Sequence, residues 1–599
     1  MKEQGTGKSE KGVELLRRWL GPAVILLAAA IAVVPQLVKG NSCGHDFDFH
    51  LVSWFDASAS WHNLQFYPHW TPSANYGAGE PRFVFYPPLT WMLGAALSLV
   101  LSWALVPIAL TFLLLAGTGL ATRALARELL DDGAATLAGC AAMYSGYAQF
   151  TAYERSAFGE LAGGLWLPLL LKFAIGSRES AGKNWASALS GSGLIALVIA
   201  GAWLSNAPVG VMASYTLAAI VAVLAFGQRS WIPLLRATVG VLLGLGLAAI
   251  YLVPAAWEQK WVDIAEATND PGLKVENGWL FAYHLDPSLV GHDSELQKVS
   301  RIAVAMVGVA IAGLMVAWLR GRFKGSDDRS RSGWLVLAAI PIVVLLLQLP
   351  VSWPIWNYLP KMRFLQFPWR WLVAVEAPMG IFIAAAVWPT TRWRQFAIVA
   401  MCLPAFGWAL QIAGHNYLQP CDEEDAVAPM VAVDKSGAGF EGVYEYASVG
   451  VDESLATKGL PLACLATNPQ VELGKPNDDQ ELEWNPGQGT CQPVSLAIPN
   501  SFRTRPENLH ASANIGHPGY LILRLRAYPA WNVRVNNQRV PLILRKDGLI
   551  AVQMQQGRVQ LDVDWSTTPD VVAGRSLTTF SVLAITGLAL YSRKRKPVN

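Results

Sequence analysis

Charge is scarce in this chain: Asp, Glu, Lys and Arg make up 15% of the 599 residues, against 53% hydrophobic residues, and the net charge is only +3. A soluble domain carries about a quarter of its residues charged, so water is not the main solvent here. Lys and Arg fall in short clusters between apolar runs, which excludes the basic patch or stripe that nucleic-acid binding requires. Motifs are missing as well. There is no Gly-x-x-x-x-Gly-Lys loop to cradle a nucleotide phosphate, no Gly-x-Ser-x-Gly elbow and no His-Glu-x-x-His helix, which sets aside nucleotide-driven pumps and common hydrolases. The six cysteines lack the Cys-x-x-Cys spacing of a zinc site. Solenoid-length repeats and low-complexity tracts are absent too.

What the chain has is apolar length, with a mean hydropathy of +0.32. A helix needs roughly 17 to 25 apolar residues to cross the hydrocarbon core, where every backbone polar group must be satisfied internally. The stretch 21–38 follows Arg17 and Arg18 and ends without a small-residue cleavage site, so it reads as a retained anchor with a cytoplasmic N-terminus. Further candidate spans are 105–122, 133–150, 161–176, 186–203, 209–226, 232–253, 302–319, 334–350, 371–388, 396–413 and 576–592. Every loop then placed inside is basic, carrying in turn Arg123 and Arg127, Arg178 and Lys183, Arg229, Arg320 to Arg331, Arg392 and Arg394, and Arg593 to Lys596. Counting Pro88–Trp103 as a crossing would upset each later loop, so it reads as a helix lying at the interface.

The expected architecture is a polytopic α-helical membrane protein of about twelve spans with a β-sandwich-like domain outside. Its parts are a cytoplasmic N-terminus (1–20), a membrane domain (21–413) with outer loops 39–104, 151–160, 254–301 and 351–370, a β-rich domain (414–575), and a last span with a basic cytoplasmic tail (576–599). The strand signals are the alternating runs Tyr520–Arg526 and Val559–Trp565, punctuated by Pro518-Gly519 and Asp547-Gly548. Cys43, Cys421, Cys464 and Cys491 fall outside, where disulfides can form, and Cys464 with Cys491 is the preferred pair.

Ionisable residues concentrate in the outer loops. Gly44-His-Asp-Phe-Asp-Phe-His50 puts Asp46, Asp48 and His50 beside a membrane surface, either on one face of an extended segment or, in a helix, with Asp46 next to His50. A desolvated carboxylate there can act as a general base; a solvated loop edge that caps a helix is the plainer reading. The loop continues through Trp54, Trp61, Tyr67, Trp70, Tyr76, Arg82 and Tyr86, an aromatic series suited to the headgroup region. Tyr153–Glu160 holds Glu154, Arg155 and Glu160 at bilayer-edge depth, where charges pair or line a site. Glu258 and Lys260 follow the seventh span. Lys361, Arg363 and Arg370 break the positive-inside pattern, and an anionic lipid phosphate is the simplest reason for them. Support of an ordinary phospholipid headgroup is the alternative.

The acidic motif after the first span, the long loop ending in Tyr86-Pro-Pro-Leu89, and the Pro- and Arg-containing outer loops resemble the GT-C class of integral membrane glycosyltransferases. More narrowly, Tyr153–Glu160, Leu252-Val-Pro-Ala-Ala-Trp-Glu258, Leu365-Gln-Phe-Pro-Trp-Arg370 and Tyr528-Pro-Ala-Trp531 with Asp547-Gly548 resemble the bacterial membrane family labelled 6-pyruvoyl-tetrahydropterin synthase-related. The resemblance covers most of the chain. It implies a GT-C-like enzyme of the bacterial inner membrane that moves a sugar from a polyprenyl-phosphate donor to a glycan, lipid or protein acceptor in cell-envelope glycan assembly. Asp46 or Asp48 would act as base, Arg363 and Arg370 would hold the leaving phosphate, and Glu154, Arg155 and Glu258 would orient the partners, with His50, Glu160, Lys260 and Lys361 also around the substrate. Oligosaccharyltransferase-like members carry an acidic pair in the second outer loop, where this chain has Glu154-Arg155, which leaves a divalent metal open. The rival readings are a lipid-linked saccharide transporter, for which Glu376 would serve, and a non-catalytic envelope-assembly protein.

Overall fold

The computed structural model describes residues 6–175, 191–322, 328–477, 480–485, 491–498 and 507–594. Arg178, Lys183, Lys324 and Lys596, counted above among the loop cations, lie outside them. Among the described residues seven helices are long and apolar enough to cross a membrane, and three pairs bent by 73°, 95° and 44° raise the number to ten.

The pairs bent by 73° and 44° fall in the expected spans 232–253 and 371–388, and two further expected spans differ. The stretch 133–150 divides into helices Asp132–Met143 and Gly146–Tyr153. The break has a local cause: Ser145 takes an extended backbone, and its hydroxyl accepts the Ala148 N–H at 3.0 Å, capping a new helix inside the apolar run. The stretch 186–203 appears as Ser192–Ser205, a shorter apolar helix whose preceding residues lie outside the described set. Pro88–Ser98 is an 11-residue helix. At 1.5 Å per residue it is too short to cross a bilayer.

Beyond the long helix Arg392–Asn416 the chain turns to strands. A five-stranded antiparallel sheet orders Ile543–Leu544, Leu549–Met554, Gly519–Arg526, Ala463–Ala466 and Gln492–Pro493. A four-stranded antiparallel sheet orders Asn508–Ile515, Gly557–Trp565, Trp531–Val535 and Gln538–Arg539. Period-two alternation sorts their side chains. Leu521, Leu523 and Leu525 share one core with Leu509, Leu561 and Val563 of the second sheet, whereas Ile522 packs on the opposite face with the Cys464–Cys491 disulfide. The other face of the second sheet is polar: His510 Nδ1 lies 2.7 Å from Asp562, and Arg534 donates to Asp564 at 2.6 Å.

This β-domain is bolted to the helical bundle by aromatic rings. Trp70, fully buried in the first long loop, meets Trp531 edge-on at 5.2 Å and Trp565 at 5.7 Å, and Tyr528 stacks on Trp565 at 5.4 Å. Such rings bring large buried area together with the extra stabilisation of edge and offset geometry. A second disulfide, Cys43–Cys421, ties the exit of the first helix to the segment after Arg392–Asn416, leaving Cys140 and Cys402 as free thiols. Non-reducing peptide mapping therefore finds both linked pairs and two alkylatable thiols. Replacing Cys464 and Cys491 together by Ser is expected to cost the β-domain about 2–4 kcal/mol, read as faster proteolysis within it; an unchanged cleavage rate would contradict this.

Candidate functional site

Residues 42–46 run alongside 153–156 at the end of the bundle that carries the β-domain. Ser42 donates to the Tyr153 carbonyl at 2.5 Å, Ser156 donates to the Ser42 carbonyl at 2.7 Å, and Asp46 N–H donates to the Arg155 carbonyl at 2.9 Å. The approach is close enough to require glycine: a Cβ at Gly44 would stand 2.7 Å from the Arg155 carbonyl carbon. Ser156 holds a left-handed φ of 50° to face both Ser42 and Gly44. Asp46 then sits at the N-terminus of the helix Phe47–His62, so of the two arrangements open in the sequence the helical one is found, with His50 N–H bonded to the Asp46 carbonyl at 3.2 Å.

The centre of the cluster is Glu160, 2% exposed. Arg155 Nη1 donates to its carboxylate at 2.7 Å, Arg370 Nε lies 3.1 Å from the same oxygen, and the Tyr147 hydroxyl donates to the other. A buried carboxylate is tolerated only with this kind of pairing. Arg155 also faces Glu295 at 3.6 Å and the Phe367 ring at 5.5 Å. Arg370 is oriented by Gln366, a residue at φ 61°, whose side-chain oxygen accepts from Arg370 Nη1 at 3.0 Å.

His50 is 1% exposed and boxed by the rings of Phe49, Trp54, Tyr86 and Phe158, with neither ring nitrogen hydrogen-bonded. Burial lowers it to about 4, Arg82 adding to that and Asp46 opposing it. Burial likewise raises the Tyr86 phenol, and the Asp46 charge raises it further.

Asp46, His50, Arg155, Glu160 and Arg370 are thus brought together, and the other expected residues are placed elsewhere. Asp48 is exposed in the first turn of its helix. Glu154 is buried but turned away from Arg155, accepting from Lys298 at 2.7 Å. Glu258 accepts from Tyr528 at 2.5 Å and from Thr568 at 3.2 Å, so it fastens the β-domain and the last helix to the bundle. Lys260 stacks on Trp257 at 4.0 Å and Lys361 on Phe364 at 4.5 Å. Arg363 pairs with Glu276 at 2.6 Å instead of joining Arg370.

Several residues of the neighbourhood were not singled out in the sequence. Buried Glu80 is one of them; it pairs at 2.7 Å with Arg82, which the sequence placed only in the aromatic loop series and which also reaches Ser53 at 3.1 Å. Glu295, Lys298 and Arg301 head the helix Val290–Leu319 at three-residue spacing, a signal the sequence does carry. Below them a cavity of about 870 Å³ opens between this helix, the broken pair around Ser145, and helices Glu376–Val387 and Arg392–Asn416. Its walls are apolar, with Ile302, Met306, Met379 and Phe406 among them, and Lys298 and Arg301 stand among its lining. Arg301 is exposed and has no partner among the described residues. Also among the described residues, no group of three or more His, Cys, Asp or Glu side chains is arranged to hold a metal ion.

No family model matches the chain, the 6-pyruvoyl-tetrahydropterin synthase-related family included, and no curated protein matches it. Among solved structures it is similar to the Archaeoglobus fulgidus oligosaccharyltransferase. The complex with Zn and sulfate is 15% identical with a TM-score of 0.36, covering 70% of this chain and 53% of that one. The same organism's archaeal oligosaccharyltransferase AglB, in complex with an inhibitory peptide and a dolichol-phosphate, is 14% identical with a TM-score of 0.40, covering 72% and 57%. The chain spans little more than half the length of these structures.

A His50 held neutral in the fold but free to protonate when unfolded makes stability fall as pH drops from about 6.5 to about 4. The loss is roughly 3 kcal/mol for a shift of this size. His50→Phe should therefore flatten the decline of Tm over that range in detergent; an unchanged slope would contradict the buried neutral imidazole.

Proposed function

We propose that this chain is a membrane glycosyltransferase of GT-C type. In this reading it moves a sugar from a polyprenyl-phosphate donor to an acceptor at the extracytoplasmic face, in cell-envelope glycan assembly. The observation that carries the reading is a juxtaposition. Glu154 and Arg155, neighbours in sequence, turn opposite ways, one to Lys298 in the lining of the apolar cavity and the other to Glu160, while the Asp46 N–H donates to the Arg155 carbonyl. A long apolar chain with an anionic head fits the cavity and its cations, and puts the reacting carbon on the Asp46 side.

In the reaction Asp46 accepts the proton of the acceptor hydroxyl, the acceptor oxygen bonds to the anomeric carbon, and the bond from that carbon to the phosphate oxygen breaks with its electron pair going to phosphate. Charge grows on the phosphate in the transition state, so fixed cations there contribute a large share of the acceleration. Lys298 and Arg301 take that role, and Arg370, paired with Glu160, adds positive potential on the sugar side. Arg363 pairs with Glu276 and does not line the cavity, so it falls out of the mechanism. Both termini are cytoplasmic in this arrangement, and the β-domain is extracytoplasmic.

A translocator of lipid-linked saccharide is the second reading. It is favoured by Glu376, a buried carboxyl within the bundle with one oxygen unpartnered.

Transfer from a radiolabelled polyprenyl-phosphate sugar, measured beside donor flipping in proteoliposomes, separates the two. Asp46→Asn should lower transfer by about 10²–10⁴-fold with the fold retained, and Asp48→Asn should stay near wild type. Full activity in Asp46→Asn would remove Asp46 as the base. Lys298→Ala and Arg301→Ala should each raise the donor KM by roughly 10-fold, an effect that flipping without transfer would not explain.

A further inference from the structure

The helix Ile232–Leu247 gives way at Ala248 to Ala249–Glu258, and the chain bends there by 73°. A break in apolar surroundings leaves backbone groups that only protein can satisfy. The last helix, Pro569–Lys594, does so: the Thr578 hydroxyl accepts the Ile250 N–H at 2.9 Å and lies 3.2 and 3.3 Å from the Gly246 and Leu247 carbonyls. The two elements pack so closely that a Cβ on Gly574 would stand 2.6 Å from the Ala249 carbonyl oxygen. The bend is held in this way, and its elbow opens as a groove of about 520 Å³ walled by Leu242, Leu245, Leu252, Trp257 and Leu577. Leu242, Trp257 and Leu577 are exposed, so the groove faces away from the bundle.

A cation stands at one end of it. Lys260 Nζ lies 4.0 Å from the centroid of Trp257, whose ring also walls the groove, and 5.5 Å from that of Trp261. Lys260 is exposed, and no acidic group pairs with it among the described residues. Ring faces hold an ammonium in place without neutralising it. Tryptophans beside a lysine at the end of an apolar run suit the headgroup level of a bilayer. Lys260 also lines a second cavity, of about 300 Å³, with Trp261, Ser448, Pro529 and Leu544. Hydrogen bonds fix these walls: Val449 N–H donates to the Trp261 carbonyl at 3.1 Å, and the Ser448 hydroxyl to the Ala527 carbonyl at 2.9 Å. With its hydrogen committed there, the Ser448 oxygen can still accept from the hydroxyl of a ligand.

Apolar groove, unpaired cation and second cavity thus follow one another through shared or stacked residues, Trp257 under Lys260 and Lys260 in the cavity wall. We propose that the elbow binds an anionic glycerophospholipid, with one acyl chain in the groove, the phosphate on Lys260 and a hydroxylated head in the cavity against the β-domain. At about 520 Å³ against 870 Å³, the groove is smaller than the cavity beside Ile302, which suits an acyl chain better than a polyprenyl chain. A lipid seated there touches the bent helix pair, the last helix and the β-domain at once. The site is separate from the one proposed for sugar transfer and stands whether or not that reading does.

The test uses the full-length protein in neutral detergent, with dioleoyl phosphatidylglycerol, dioleoyl phosphatidylcholine and undecaprenyl phosphate as separate probes. Retained lipid is counted by native mass spectrometry. Wild type should hold phosphatidylglycerol about 5-fold more tightly than phosphatidylcholine, the preference that one cation gives at a lipid surface. Lys260→Gln should bring the two within about 2-fold and Lys260→Arg should keep the preference. Lys361→Gln, which removes a ring-stacked lysine outside the groove, should leave it unchanged. A phosphatidylglycerol with a photoreactive acyl chain should label peptides containing 242–257 or Leu577, and undecaprenyl phosphate should displace it less well than unlabelled phosphatidylglycerol. Ala256→Trp, which fills the exposed side of the groove and leaves the charge in place, should abolish that labelling. Equal retention of the two phospholipids by wild type, an undiminished preference in Lys260→Gln, labelling confined to other segments, or better displacement by undecaprenyl phosphate would overturn the assignment.

Discussion

Glu160 cannot remain ionised in a buried helical bundle without cations, and of the two that supply it one is local, Arg155 five residues before it, and one distant, Arg370 some two hundred after. That one carboxylate therefore fixes the segment leaving the broken helix pair against the segment entering Glu376–Val387. The Arg155 backbone then positions Asp46, and the neighbouring Glu154 positions Lys298. The placements of Asp46, of the cluster and of Lys298 all hang on a single buried ion triad, because removing either guanidinium would leave a buried charge short of its partner.

The β-domain stands in a similar relation to the bundle. Its attachment combines aromatic packing around Trp70, the buried Glu258 with Tyr528 and Thr568, and the Val443 N–H on the Glu80 carboxylate. None of these resembles a loose linker. The Arg526 N–H donates to the Ala78 carbonyl and the Val443 N–H to Glu80, both within a few residues of Arg82, so the first long loop cannot relax independently of the sandwich.

Local patterns were the legible part. Alternation in Tyr520–Arg526 and Val559–Trp565 marks strands because a two-sided sheet demands it, and Cys464 with Cys491 lie near enough in sequence to be paired by eye. The density of charge at 153–160 is also readable, whereas the sequence leaves Asp46 to His50 open between a helix and an extended segment, and the structure shows the helix. What escaped depends on partners far away in the chain. Nothing near Arg363 says that Glu276, almost ninety residues earlier, will neutralise it. The break at Ser145 escaped for another reason: a capping serine inside an apolar run is indistinguishable by hydropathy from a serine tolerated in a span.

The account stands or falls on where an anionic lipid head settles. A cryo-EM structure of the protein in a nanodisc with a non-hydrolysable polyprenyl-phosphate sugar measures this directly. The account predicts the chain along the cavity beside Ile302 and Met306, the phosphate within about 4 Å of Lys298 and Arg301, and the sugar facing Asp46. A phosphate seated instead beside Arg363 and Glu276, with the cavity holding only bulk lipid, would contradict it.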